Sequence, residues 1–411
     1  MFDVEIVRSC FPSVRSQDAV FFDNPGGTQI VQGSLDRMNS YLLNCNANHG
    51  GAFKTSIESD QLLDDAHAAL ADFLNAKSPD EIIFGPNMTT LTFMLSRSLA
   101  RTFKPGDEIV VTHLDHDANI APWLAIAEDC RLTVRWVDIK PADVTLDLED
   151  LDRQITPRTK LVACCYASNA VGTINDVRSI VARAHSVGAL CFVDAVQAAP
   201  HLLMDVQDLD CDFLVCSAYK FFGPHLGVLY GKLDLLDRLP AYKVRPADNR
   251  PPGKFETGTQ NHEGIAGTLG AVEYLASLGG SDGAATGRRA CLRRGLEAIR
   301  SYEMGLQHAL IRGLESLPGV KIWGITDRSS LAQRVPTVSF TLKDWHPRSL
   351  AARLAESRIY TWDGNYYALS VMERLGLQES GGMLRVGLVH YNRAAEIERL
   401  LSVLEGLMGG R

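Results

Sequence analysis

Between about Asp80 and Tyr230, short β-branched or apolar runs alternate with stretches of helical periodicity, and no other feature of the chain restricts its fold as much. The runs extend from Glu108 to Thr112, Leu132 to Val137, Lys160 to Tyr166, Ala189 to Asp194, Phe213 to Ser217 and Leu226 to Tyr230. Strands that alternate with helices predict an α/β fold with a mostly parallel sheet covered by helices on both faces. Upstream, Ile57, Leu63, Ala66, Leu70 and Phe73 recur at helical spacing, with Ser78-Pro79 as the expected end of that helix. A further helix is expected from Leu91 to Ala100, after the turn Gly85-Pro86-Asn87.

The segment from Ala241 to Gly258 is rich in Pro, Gly and charge and reads as a long functional loop. A helix from about Gly264 to Leu278 follows, and Gly279 to Gly283 breaks the pattern. A long helix, strands near Lys321, Thr337 and Leu384 and a terminal helix then complete an α+β unit. At 411 residues the chain exceeds the ~250–300 at which one core stops growing. The expected division is a large domain over 20–265 and a smaller C-terminal domain over 266–411 joined by 1–19.

A net charge of -8, with no basic stripe to reverse it locally, repels a phosphate backbone and argues against nucleic acid. The first residues lack a basic and apolar leader, and no uncharged apolar run is long enough for a bilayer. Cys164, Cys165, Cys191 and Cys216 lie inside apolar runs, as expected in a reducing, cytoplasmic compartment. Without a Cys-x-x-Cys pair, structural zinc is not expected.

Two charges stand where chemistry is expected. Asp194 ends one strand, and Lys220 follows the next through Ser217-Ala218-Tyr219. In an open α/β sheet the carboxyl ends of the strands line the ligand crevice, so both charges should face one site. A pyridoxal cofactor needs such a pair: a carboxylate to keep its ring nitrogen protonated and a lysine to form a Schiff base. The surrounding residues read Val-Asp-Ala-Val-Gln-Ala-Ala-Pro-His from Val193 and Ser-Ala-Tyr-Lys-Phe-Phe-Gly-Pro from Ser217.

Here the chain resembles the fold-type I pyridoxal enzymes of the class V aminotransferase and cysteine desulfurase family, from Phe22-Asp23-Asn24-Pro25-Gly26-Gly27 to Arg385-Val386-Gly387-Leu388. The resemblance implies a seven-stranded type of sheet, pyridoxal 5'-phosphate as cofactor, an amino-acid substrate held through an external aldimine, and a homodimer. It further implies that Asp194 pairs with the pyridine nitrogen. Gln197 and Asn169 border the ring hydroxyl, and His116 stacks on the ring face. Met88, Thr89 and Ser217 take the phosphate, joined by Thr259 from the other subunit, and Arg385, preceding a short strand, clamps the substrate α-carboxylate. Asn24 and His49 lie in motifs that border the substrate. A metal reading of His113-x-x-His116 with Asp115 and Asp117 lacks ligands at a convergent spacing.

Two departures affect the chemistry. Tyr219 stands where the desulfurases place a histidine before the lysine, and Tyr367 stands where they carry the sulfur-accepting cysteine, in Thr361-Trp362-Asp363-Gly364-Asn365-Tyr366-Tyr367-Ala368. The last cysteine of the chain is Cys291, so no neighbour substitutes. The expected activity is therefore β-elimination of a sulfur group without persulfide chemistry. Transamination, epimerisation and C–C bond formation are the alternatives, and a silent cofactor-binding scaffold is the non-enzymatic one.

Overall fold

A computed structural model describes residues 2–280 and 287–409. Seven strands form the main sheet: β1 (Ile82–Gly85), β2 (Glu108–Thr112), β3 (Thr133–Val137), β4 (Thr159–Cys165), β5 (Leu190–Asp194), β6 (Phe213–Ser217) and β7 (Gly227–Gly231). Their order is β1-β7-β6-β5-β4-β2-β3, parallel except for β7, which runs antiparallel to both neighbours. Strands β1, β2, β6 and β7 are buried along their whole length. This explains why they read as continuous apolar runs and not as alternation. The order reverses between β2 and β4, so the loops after these strands part and leave a crevice at their carboxyl ends.

Helices α1 (Gln32–Asn44), α2 (Lys54–Leu74), α3 (Met88–Ala100) and α4 (His262–Ser277) belong to this part of the chain. Helix α2 stops earlier than Ser78-Pro79 because Asn75 takes a left-handed conformation (φ 59°) and donates its backbone N–H to Ala71 and Asp72. Helix α4 approaches α1 at a point without side chains: a Cβ on Gly270 would lie 2.5 Å from the Gly33 carbonyl oxygen. No helix or strand occurs between 241 and 258, as expected for the Pro/Gly-rich loop.

A second, antiparallel sheet is formed by β8 (Val320–Trp323), β9 (Thr337–Leu342), β10 (Trp362–Gly364) and β11 (Met383–Gly387), in the order β8-β9-β11-β10. It has its own apolar cluster, in which Val338, Phe340, Leu384 and Val386 meet Leu306 and Leu310 of helix α5 (Arg288–Glu315) and Leu400 and Leu404 of α6 (Ala394–Gly409). Of the expected break at 279–283, residues 281–283 lie outside the described residues. Among the described residues no helix is long and apolar enough to cross a membrane.

Candidate active site

The sheet's carboxyl ends and the loop after β10 enclose a cavity of about 480 Å³. Lys220 sits in a 3₁₀ turn just past β6, and Asp194 is the last residue of β5. The Lys220 amine is 7% exposed and donates to the backbone carbonyls of Pro25 (2.5 Å) and Gly26 (2.9 Å). These carbonyls are brought in by the segment after the short strand Val20–Phe21, in which the Phe22 carbonyl accepts from the Gly387 amide of β11 at 2.8 Å. The approach requires glycine, since a Cβ at 387 would lie 2.0 Å from the Pro25 ring. Gln197 donates to the same Pro25 oxygen at 2.8 Å.

Burial, aided by repulsion from Arg385, lowers the Lys220 pKa to about 7, with Asp194 and Asp23 opposing the shift. Burial raises Asp194 to about 6 against the Val196 amide and the Lys220 charge. His116, at the head of the 3₁₀ turn Asp117–Asn119, is lowered to about 4 by burial and by the Lys220 and Arg385 charges. Its Nδ1 accepts from the Ala118 amide at 3.0 Å, and its ring stacks on Tyr367 with centroids 5.6 Å apart.

Arg385 lies inside β11, not before it, with the apolar Leu384 and Val386 continuing the strand on both sides. Its register partners are Ser339 and Trp362, which fixes the guanidinium over the cavity. It is 3% exposed, lies 4.2 Å from the Tyr366 ring centroid and donates to the Asn169 carbonyl at 2.8 Å, while its Nε has no partner. The loop after β4 is held across from β11 by consecutive carbonyls: Asn169 accepts from Arg385, Ala170 from the Ser339 hydroxyl and Val171 from Arg334. The Asn169 amide donates to the Tyr366 carbonyl at 2.8 Å, and its own oxygen is buried without a partner.

At the opposite side of the cavity, Asn87 caps α3 by accepting from Thr90, and Ser217 accepts from the Met88 amide at 3.2 Å. The Asn87 turn packs onto β7 where a Cβ at Gly227 would lie 2.4 Å from the Asn87 carbonyl carbon. The Thr89 end of α3 thus faces the cavity with amides and the positive end of the helix dipole.

Met88, Thr89, His116, Asn169, Asp194, Gln197, Lys220, Tyr367 and Arg385 line one cavity, with Ser217 directly behind Met88. Asn24 does not line it: it is buried, donates to the Phe21 and Gly387 carbonyls and accepts from Tyr391. Nor do His49 and Thr259, which are exposed. Thr259 lines a separate depression with Tyr41, Asn48 and His262, and the His49 ring lies 6.3 Å from that of His262. Sequence reasoning passed over Phe93, Asp117 and Trp362 as lining residues, although Trp362 stands in a segment it singled out and Phe93 lies one helical turn beyond Thr89.

The donor set suits pyridoxal phosphate. A dianion fits the amide-rich start of α3, a buried carboxylate stands at Asp194 for a protonated ring nitrogen, the unpartnered Asn169 oxygen awaits a donor, and an amine of lowered pKa stands beside them. Residues 20–400 match the family described as Aminotransferase class-V. The chain is 32% identical to a cysteine desulfurase of Serratia proteamaculans and 35% identical to an aminotransferase-like protein of Gibberella zeae, each over 98% of both chains. Among solved structures it is similar to the apo cysteine desulfurase of Thermococcus onnurineus, with a TM-score of 0.89, 29% identity and coverage of 99% and 98%. It is also similar to the cysteine desulfurase CsdA of Escherichia coli, with a TM-score of 0.87, 25% identity and coverage of 100% and 99%. The chain belongs to the class V aminotransferase family and is a pyridoxal-phosphate-dependent enzyme.

Proposed function

We propose that this enzyme is a C–S lyase that eliminates a sulfur group from the β-carbon of an amino acid and forms no persulfide on the protein. Bound pyridoxal phosphate supplies an aldehyde for the substrate amine and a ring that withdraws the electron pair left at the α-carbon. Thr89 and Ser217 would hold its phosphate, Asp194 its ring nitrogen, Gln197 and Asn169 its hydroxyl edge, and His116 its face. Arg385 offers the substrate carboxylate a planar fork, whose Nε is still free. Lys220, with a pKa near 7, is suited to take the α-proton at its Nζ and pass it to the departing sulfur. The C–S bond breaks with its electron pair leaving on sulfur, and the remaining carbon skeleton is hydrolysed to pyruvate and ammonia.

What supports this reading is the mouth of the cavity, lined by Tyr367, which is 72% exposed and is the residue that the sequence resemblance aligns with the sulfur-accepting cysteine. Among the described residues Cys165 is the one cysteine that lines the cavity. Its thiol is buried, contacts the Leu114 carbonyl and is pushed well above the usual thiol range, so it supplies no thiolate. The test is product analysis with cysteine and an S-substituted cysteine alongside mass spectrometry of the protein. Pyruvate without an adduct is expected. Catalytic alanine formation with a persulfide overturns the proposal, and an aminated keto acid as product moves it to transamination.

The same reading makes the working unit a two-fold homodimer, with Thr259 reaching the partner's cofactor phosphate. In support, Thr259 and His49 are exposed outside the cavity, and Leu43 (83% exposed) on α1, Ile57 on α2 and Phe53 at the head of α2 present apolar surface beside the His49 loop.

A further inference from the structure

Part of the cavity lining has no task in the chemistry above: Asp117, with the rings of Phe93, Trp362 and Tyr367 and the small side chains of Ala118 and Ala121. Asp117 follows His116 directly, and its backbone N–H donates to the Tyr367 carbonyl at 2.7 Å, which ties it to the loop that follows β10, the strand that begins with Trp362. Its carboxylate is partly buried, and desolvation raises its pKa with no cation to offset the cost. Among the described residues this carboxylate enters no ion pair and no side-chain hydrogen bond.

The charges lining the cavity are Lys220, Arg385, Asp194 and Asp117. In the cofactor-loaded enzyme Asp194 would be matched by the protonated ring nitrogen and Lys220 would be the amine that carries the cofactor. Arg385 is matched by the α-carboxylate of an amino-acid substrate, which leaves Asp117 unmatched. A partly desolvated carboxylate gains from an arriving cation, and the faces of Trp, Tyr and Phe rings attract the same charge. Trp362 and Tyr367, 50% and 72% exposed, have ring surface to offer, and Ala118 and Ala121 leave room beside it.

We propose that the substrate of this enzyme carries a second cationic group on its side chain, an ammonium, guanidinium or imidazolium, which Asp117 receives among the rings of Phe93, Trp362 and Tyr367. The proposal rests on the reading that the cavity binds an amino acid through Arg385, but not on which bond is then broken.

Calorimetric titration of the cofactor-loaded enzyme at pH 8, with the carboxylate ionised, compares lysine with norleucine and S-(2-aminoethyl)cysteine with S-propylcysteine. The cationic member of each pair is expected to bind about tenfold more tightly or better, as for a charge-assisted hydrogen bond. The ratio falls toward one in Asp117→Asn, is partly kept in Asp117→Glu, and is reduced in Trp362→Leu, which leaves the carboxylate untouched. Equal binding within each pair by the unmodified enzyme, or a ratio that survives Asp117→Asn, overturns the proposal. Cation preference without pyruvate from either cysteine derivative removes the lyase reading and keeps this one. Pyruvate from S-propylcysteine with no cation preference does the reverse.

Discussion

Asp194, the last residue of β5, and Lys220, in the 3₁₀ turn just past the adjacent parallel β6, stand at the same edge of the sheet, and each lowers the cost of the other's buried charge. Burial holds the carboxylate near a pKa of 6 and the amine near 7, so the Lys220 amine sits close to neutrality, as suits a group that moves a proton.

Replacement of Lys220 by Ala removes the only amine that lines the cavity among the described residues. Borohydride is expected to fix cofactor to the unmodified protein and none to Lys220→Ala, read by mass spectrometry of the intact chain. Turnover should fall by about 10²–10⁴, while the melting profile stays cooperative because the change deletes a buried, desolvated cation. Covalent fixation in the variant would show that another lysine holds the cofactor.

The lowered pKa of Lys220 sets the pH at which cofactor-free protein takes up pyridoxal phosphate. Burial and Arg385 disfavour the ammonium, so the amine becomes neutral above about pH 7, whereas an unperturbed lysine does so only above about 10.4. Uptake followed by absorbance should therefore rise with a midpoint near pH 7 and level off above it. A rate still climbing steeply at pH 9 contradicts the assignment.

The strands and the Asp194–Lys220 pair were legible in the sequence because most of the buried strands are continuous apolar runs, and Leu190–Asp194 and Phe213–Ser217 close on a polar residue beside the site. Glu108–Thr112 and Phe213–Ser217 coincide with the expected runs to the residue. Ile82–Gly85 was missed because four apolar residues between Pro79 and Pro86 look like part of a turn. Trp362–Gly364 was missed because Asp and Gly rarely mark strands, and only pairing with β11 makes it one. Asp117 and Trp362 reach one cavity through the docking of the loop after β10 against the loop after β2, and no local pattern encodes that meeting.

Substitution of Arg385 by Lys keeps the charge and loses the fork that holds the Asn169 carbonyl while offering Nε to a ligand. The expected result is a KM for amino acids raised about tenfold, roughly one charge-assisted hydrogen bond, with cofactor content unchanged by absorbance. An unchanged KM removes Arg385 from carboxylate binding.

Dimerisation can be separated from the site within one chain. The double variant Phe53→Asp, Ile57→Asp places charge on two exposed apolar positions of the α2 region and is expected to be monomeric by light scattering, with weakened cofactor retention. Thr259→Ala should remain dimeric yet hold cofactor less tightly. A monomer that keeps full activity would show that Thr259 has no task across an interface.

Tyr367 distinguishes a stacking role from an acid–base or sulfur-accepting one. Its ring lies against His116 with planes 21° apart, and its carbonyl is fixed by the Asp117 amide, so the residue holds the imidazole at the cavity wall that both line. The backbone is left-handed at both Tyr366 and Tyr367 (φ 55° and 56°), an arrangement kept by the hydrogen bonds from Asn169 and Asp117 to their two carbonyls. A phenol has no sulfur and cannot carry a persulfide. Tyr367→Phe keeps the stack and loses only the hydroxyl, so its kcat with an S-substituted cysteine should stay within about twofold of the unmodified enzyme. Tyr367→Ala exposes His116 to water and should lower kcat by roughly tenfold, the scale of a lost aromatic contact. If Tyr367→Phe is as inactive as Tyr367→Ala, the phenol moves a proton in the reaction and the stacking account fails.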